Sequence, residues 1–580
     1  MRKGLVLARL VTILAIVAAA GPRASAQLNL FNGLSKLDPV LQRHASQAGR
    51  SRIILRVSNP GLLSLLTPVV QLAGGSILGS LPLVDSLVVD VPNAALAGLS
   101  NNPLVAHIST DRLVVGAMER TGATIGATAV RQELGYDGSG VGVAIIDSGA
   151  STTPDDLADA PGGASRIDRF VDFVNGSLTP YDDYGHGTHV AGIVAGNGAD
   201  SDGARSGIAP AARLIVLKVL DASGQGRISS VIAAINYAIA YRNTLHIRVI
   251  NLSIATGVYE SYDDDPLTQA AKQAVSAGLV VVAAAGNNGT SADGRLQYGG
   301  TTAPGNAPWV LTVGASSHEG TVDRTDDTIA AFTSRGPSAL DAAAKPDLVA
   351  PGVGIESLSD PDSAFYISRS AYLLSGTVPK PYLPYLSLSG TSMSAPVVSG
   401  TVALMLQANP DLTPNEVKAI LQYTAQQYAG YDRLTQGGGF LNAKGAVELA
   451  RFLADPSGVP YPATDGWSGQ LIWGNRLVVG GQLADTANAW PTDVVWGAST
   501  TPSGNRITWG PGFTKTVNVV WGDRCGVNDC HDTWDLADSG GAVSADDGDT
   551  VVWGTDDGDT VVWGTSCIDP RCEPIVWNRP

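Results

Sequence analysis

Between residues 119 and 453 the chain alternates short, unbroken apolar runs with helix-length segments. This alternation constrains the fold more than any other feature of the sequence. The runs are VGVAIID (141–147), RLIVLKVL (213–220), RVINLSI (248–254), LVVVAAAG (279–286) and WVLTVGA (309–315). Strands buried on both faces look like this, because neither face is reserved for polar residues. Between them, ISSVIAAINYAIAYR (228–242) and LTQAAKQAVSAG (267–278) have the length and spacing of helices. Strand–helix alternation predicts an α/β, doubly wound, mostly parallel sheet with helices on both faces. In such sheets ligands bind beyond the carboxyl ends of the strands, so chemistry is expected in the residues that follow each run.

Four stretches carry candidate side chains, two of them at the ends of such runs. Asp147 ends the first run, in IIDSGA. A carboxylate there is costly unless something pairs with it, and a helix cap is the ordinary alternative. YGHGTHVAGIVAGNG (184–198) puts His186 at the mouth of an apolar helix and His189 one turn further in. The glutamate of an H-E-x-x-H zinc site is absent, so one reactive and one structural histidine fits better than a metal pair. AAAGNNG (283–289) places Asn287 after a buried strand, where a turn is the plain reading. LSLSGTSMSAP (386–396) holds four serines. Only Ser392 has a helix N-terminus behind it, since Pro396 is tolerable only in a first turn. Ser394 is rotated away by roughly 200°.

DSG, HGTHVAG, AAAGN and GTSMSAP stand in the order of the subtilisin-like serine proteases, and the chain from 125 to 453 resembles that family. Asp…His…Ser is the subtilisin order; Ser394 in place of glycine breaks the G-x-S-x-G of α/β-hydrolases. The resemblance implies a serine endopeptidase with Ser392 as nucleophile, His186 as general base and Asp147 as its orienting carboxylate. It implies Asn287 as an oxyanion-hole donor. It implies Ser253, Ile254 and Ala255, in NLSIATG, as the strand that pairs with an extended peptide. It also implies calcium, with Asp156, Asp200 and Asp202 as oxygen donors. Ala255 stands where the family often has glycine, Ser394 departs from the usual A-S-P or A-A-P, and Asp360–Leu388 is longer than in compact subtilisins. Thr302–Pro304, where the family's specificity wall should lie, holds no carboxylate, so an apolar residue is expected before the scissile bond. A pseudo-protease would have lost a member of the Asp–His–Ser set, and none is lost.

The flanks read differently. Arg2, Lys3 and Arg9 flank and precede LVTILAIVAAA, and Ala24-Ser25-Ala26 follows, so 1–26 reads as a secretory signal peptide and the chain as secreted, extracellular or at the cell surface. The apolar run is short for a membrane span. In 27–118, RIILRV (52–57) and SLVVDV (86–91) suggest a small α+β unit. It resembles the family's inhibitory propeptide, of ferredoxin-like fold, removed by self-cleavage near 115–125. Ten of the eleven tryptophans lie in 454–580, in repeated VVWG-like units, with DGDTVVWGT at 547 and again at 557. Short stacked strands are expected there, self-packed or presenting a surface or glycan ligand site. Cys525, Cys530, Cys567 and Cys572 suit disulfides in an exported chain. A net charge of −16 excludes a nucleic-acid partner of the ordinary basic kind.

Overall fold

A computed structural model describes residues 36–81, 84–111, 117–159, 162–291 and 295–518, with short strand pieces at 525–526, 529–530 and 572–574. The expected signal peptide, the DGDTVVWGT repeats and Cys567 lie outside the described residues; Cys525 and Cys530 are register partners in a short antiparallel strand pair. Two compact units divide after Leu113.

The first unit follows the order β1 (Arg50–Val57), α1 (Leu63–Leu72), β2 (Ser76–Leu81), β3 (Ser86–Pro92), α2 (Leu96–Ser100), β4 (Val105–Thr110). Its sheet is antiparallel in the order β2-β3-β1-β4, which is the ferredoxin-like arrangement. Alternation along β1 turns Ile53 and Leu55 inward against Leu66, Val70 and Ile108. The sequence reading had β1 and β3 but missed β2 and β4.

The second unit holds the parallel sheet. Its strands are β5 (Gly142–Asp147), β6 (Ile167–Asp172), β7 (Arg213–Lys218), β8 (Ile247–Leu252), β9 (Val280–Ala284), β10 (Leu311–Ser317) and β11 (Leu348–Pro351). The order is β10-β9-β8-β5-β7-β6, with β11 alongside β10 in parallel. One face packs on α4 (Ile228–Tyr241) and α5 (Pro266–Ser276). The other packs on α3 (His186–Ala195), α6 (Thr391–Ala408) and α8 (Ala443–Ala454). Helix α6 is apolar nearly all round, as a helix enclosed by the core must be. A small antiparallel pair, β12 (Ile355–Leu358) and β13 (Tyr385–Leu388), leads into it.

A buried charge cluster ties this sheet to α7 (Pro414–Thr424). Asp347 accepts from Lys345 Nζ and Lys418 Nζ, both at 2.9 Å, and also from the Thr312 main chain. Burial holds both lysines below their ordinary pKa, Lys418 at about 7, against the attraction of Asp347. Removing the shared carboxylate strands two buried amines, so Asp347→Ala is expected to cost about 3–5 kcal/mol. Thermal unfolding of the variant checks this.

The stretch 467–513 does not stand apart as its composition suggested. Trp473, Trp490 and Trp496 are buried in the core that includes α7 and α8. Trp496 Nε1 donates to Ile472 O (3.0 Å), and Asn415 of α7 donates to Ala489 O (3.1 Å) and Val494 O (2.8 Å). These indole rings are spent on packing and are not offered to a glycan.

Candidate active site

Strand β5 delivers Asp147 to the carboxyl edge of the sheet, fully buried. His186 opens α3, and its Nδ1–H donates to Asp147 Oδ1 at 2.7 Å. The Ser148 main chain donates to the same oxygen at 2.8 Å. The approach of α3 to this turn requires glycine, because a methyl at Gly187 would collide with the Gly149 carbonyl oxygen. Burial works against charge on His186. Asp147, with Asp182 beyond it, outweighs burial and raises the pKa above that of an ordinary imidazole. His189 is different. It is fully buried, its Nε2 lies 2.9 Å from Leu386 O and 3.2 Å from Ile355 O, and burial with the nearby His186 depresses its pKa to about 3. It is a neutral strut between α3 and the β12–β13 pair.

Sequence reasoning missed Asp182. It is buried and accepts from Ser148 Oγ (2.8 Å), Gly185 N (2.8 Å), Thr188 N (2.7 Å) and Thr188 Oγ1 (2.7 Å). It therefore caps α3 and ties the Asp147–Ser148 turn to it. An aspartate a few residues before an apolar helix was the available signal. Lys218 was also missed. It is buried at the end of β7 and donates to Ser148 O (2.6 Å), Leu220 O (2.8 Å) and Asp183 Oδ1 (2.6 Å).

Ser392 lies in the first turn of α6, partly exposed. Its carbonyl accepts from Ser253 Oγ at 2.8 Å, which fixes it to the end of β8, the strand beside β5. Its hydroxyl is not committed to a hydrogen bond among the described residues. Catalytic contacts are often long in free enzymes and tighten with substrate. Asn287 follows β9. Its Oδ1 accepts from Thr391 N (3.0 Å) and Thr391 Oγ1 (3.1 Å). That fixes the amide so that Nδ2 points toward Gly390, 3.6 Å from where a methyl there would stand. Asn287 itself is exposed.

Ser253 is buried and also accepts from Asn251 Nδ2 (3.0 Å), while Ile254 and Ala255 are progressively more exposed. The main chain of Ile254 and Ala255 makes no backbone hydrogen bond among the described residues. Thr256 then pairs with Ala303 (3.1 and 3.0 Å). The result is an open strand edge beside a wall, Thr302–Pro304, without a carboxylate. An aromatic pair adjoins the imidazole on another side. The Phe365 ring, from the long 360–388 segment, lies 4.5 Å from that of Tyr184 and 6.1 Å edge-on from His186.

The residues expected to hold calcium do not fit it. Asp202 is exposed and accepts from Thr377 Oγ1 (3.0 Å). Asp156 accepts from Tyr385 Oη (2.8 Å) and from Asp200 N (3.2 Å). Asp200 is paired with Lys380 Nζ at 2.8 Å. No group of three or more His, Cys, Asp or Glu side chains among the described residues could hold a metal ion. The sequence showed the acidic side chains and gave no sign that a lysine about 180 residues away joins them.

An imidazole bound to a buried carboxylate, a serine at a helix mouth and an amide fixed against Thr391 are groups that a serine hydrolase uses. The chain belongs to the subtilase family, whose pattern (Peptidase_S8) matches residues 138–446, and it is a subtilisin-like serine endopeptidase. Serine protease AprX of Bacillus subtilis (strain 168) is 37% identical over 363 residues, covering 61% of this chain and 77% of AprX. Subtilisin E of the same organism is 32% identical over 387 residues, covering 66% of this chain and 85% of that one. Subtilisin Savinase of Lederbergia lenta is 34% identical over 313 residues, covering 54% and 93%. Among the described residues no helix is long and apolar enough to cross a membrane.

Proposed function

We propose that this chain is a secreted endopeptidase, made as a proenzyme, that cuts proteins through an acyl-enzyme on Ser392. His186 Nε2 takes the hydroxyl proton as Ser392 Oγ adds to the scissile carbonyl carbon. Asn287 Nδ2 and the Ser392 main-chain N–H stabilise the oxyanion. The imidazolium, held by Asp147, then protonates the leaving amine, and water releases the acyl group by the reverse route. The 2.7 Å contact between Asp147 and His186 supports this reading most directly, because it fixes the tautomer that leaves Nε2 free to act as base.

The substrate lies extended against Ile254 and Ala255, and an apolar residue before the scissile bond suits the uncharged wall at Thr302–Pro304. Residues 27 to about 118 act as an inhibitory propeptide. Self-cleavage falls at the N-terminal end of the 115–125 window. Thr121 and Thr124 are buried in a helix, Ala117–Thr124, that would have to unwind before its bonds could enter a cleft.

A fluorophosphonate probe applied to culture medium, followed by peptide mass spectrometry, tests the whole reading. The adduct is expected on Ser392, in a polypeptide whose N-terminus begins near 115–117. An unlabelled Ser392 in a correctly folded secreted protein overturns it. Asn287→Ala is expected to lower kcat by about 10²–10³ with KM little changed, because the amide acts only on the developing charge; the scale is that of such a donor in subtilisin itself. Steady-state kinetics on a peptide anilide reads this.

A further inference from the structure

Besides its pairing at Tyr385–Leu388, the long segment 360–388 is tied to the turns around the site at two stretches. Near its start, Ala364 N and Phe365 N donate to the carbonyls of Asp183 and Tyr184, both at 2.9 Å, which sets Phe365 beside His186. Further on, Thr377 N donates to Asp200 O (2.9 Å), and Lys380 places its ammonium between Asp155 Oδ2 (2.6 Å) and Asp200 Oδ1 (2.8 Å). Asp200 is 1% exposed, and its second carboxylate oxygen is buried with no partner among the described residues. Asp156 stands against the same turn. Gathered acidic oxygens, one of them buried and unpaired, are the setting in which a polyvalent cation would lower the free energy most. Here the positive charge arrives on the chain itself.

We propose that the Lys380 ammonium is a built-in replacement for a bound divalent cation. It joins the turns at 155–156 and 198–202, and it positions the cleft-rim segment that carries Phe365. A tethered cation cannot dissociate, so the stability of this corner does not follow the free ion concentration as a bound metal's contribution would. The melting test below is independent of the peptidase reading; only its kinetic arm rests on it.

The test compares wild type, Lys380→Ala and Lys380→Met, each in a Ser392→Ala background that removes autolysis. Melting is measured in EGTA and in millimolar calcium. In EGTA both lysine variants are expected to melt about 5 °C below the parent. Calcium is expected to restore most of that loss in Lys380→Ala, where the missing side chain leaves room for an ion among the carboxylates. It should restore none in Lys380→Met, where the apolar chain fills the space. The parent's own calcium response is subtracted, which removes any ion site elsewhere. In the active enzyme, Lys380→Ala is expected to raise KM more than it lowers kcat, with calcium reversing the change. The proposal is overturned if the calcium response of Lys380→Ala does not exceed the parent's, or if both variants melt like the parent in EGTA.

Discussion

Replacing Ser392 with alanine is expected to lower kcat by about 10⁶-fold, the scale established for this change in subtilisin, while KM stays close to the parent value. The reason is local. Ser392 is tied down through its carbonyl, by Ser253, and its hydroxyl carries no structural hydrogen bond among the described residues. Deleting one oxygen therefore removes the attacking atom and little else. The Asn287 amide, which is fixed by Thr391, and the open edge at Ile254 and Ala255 remain in place, so substrate still binds. Residual turnover over the uncatalysed rate comes from those groups. The same variant should accumulate as an uncut precursor that retains residues 27–118, and its melting temperature should match that of the parent precursor. Kinetics, intact mass and calorimetry read the three outcomes. A variant that keeps more than about one part in 10³ of the parent kcat would remove Ser392 from the nucleophile's role.

What the sequence disclosed and what it withheld divide along a physical line. Asp147, His186, Asn287 and Ser392 each follow a signal confined to a dozen residues, namely an apolar strand that stops or an apolar helix that starts. Buried parallel strands carry that signal strongly because both faces are apolar. The first unit's β2 and β4 carry it weakly. Ser76–Leu81 buries no residue, and Val105–Thr110 buries only Val105 and Ile108. The partners that support the site were beyond reach for a different reason. Lys380 meets Asp155 and Asp200 across about 180–225 residues of chain, and Ser253 meets Ser392 across 139. No spacing rule encodes such pairs; only the closed fold brings them together. The tryptophans mislead in the same way. Their repetition suggested short strands packed on themselves, and short antiparallel strands do form at Gln470–Trp473 and Arg476–Gly480. The rings of Trp473 and Trp496, 4.5 Å apart, instead complete a core begun by residues of the catalytic body.

Exchanging Asp147 for asparagine should lower plateau kcat/KM by about 10⁴ and also move its dependence on pH, and the two effects have separate causes. In the parent, the carboxylate accepts from His186 Nδ1, which leaves Nε2 unprotonated and ready to take the serine proton. An asparagine can turn its amide N–H toward Nδ1, which forces the imidazole proton onto Nε2 and blocks the base. The second effect concerns charge. Burial pushes the His186 pKa down, and Asp147 pushes it up by more, so the parent's value lies above that of an ordinary histidine. The base works only when neutral. Parent activity must therefore fall as pH drops through that raised pKa. In Asp147→Asn the opposing charge is gone while the burial remains, so the acid limb should move to lower pH. The deficit should then shrink toward low pH, by up to tenfold per unit over the interval between the two pKa values. A merely misfolded variant would lose activity in equal proportion at every pH. Rate profiles of parent and variant, taken with fluorophosphonate inactivation rates over the same range, make the comparison. An unshifted acid limb would show that Asp147 does not govern the charge on His186, and would break the link between their contact and the chemistry.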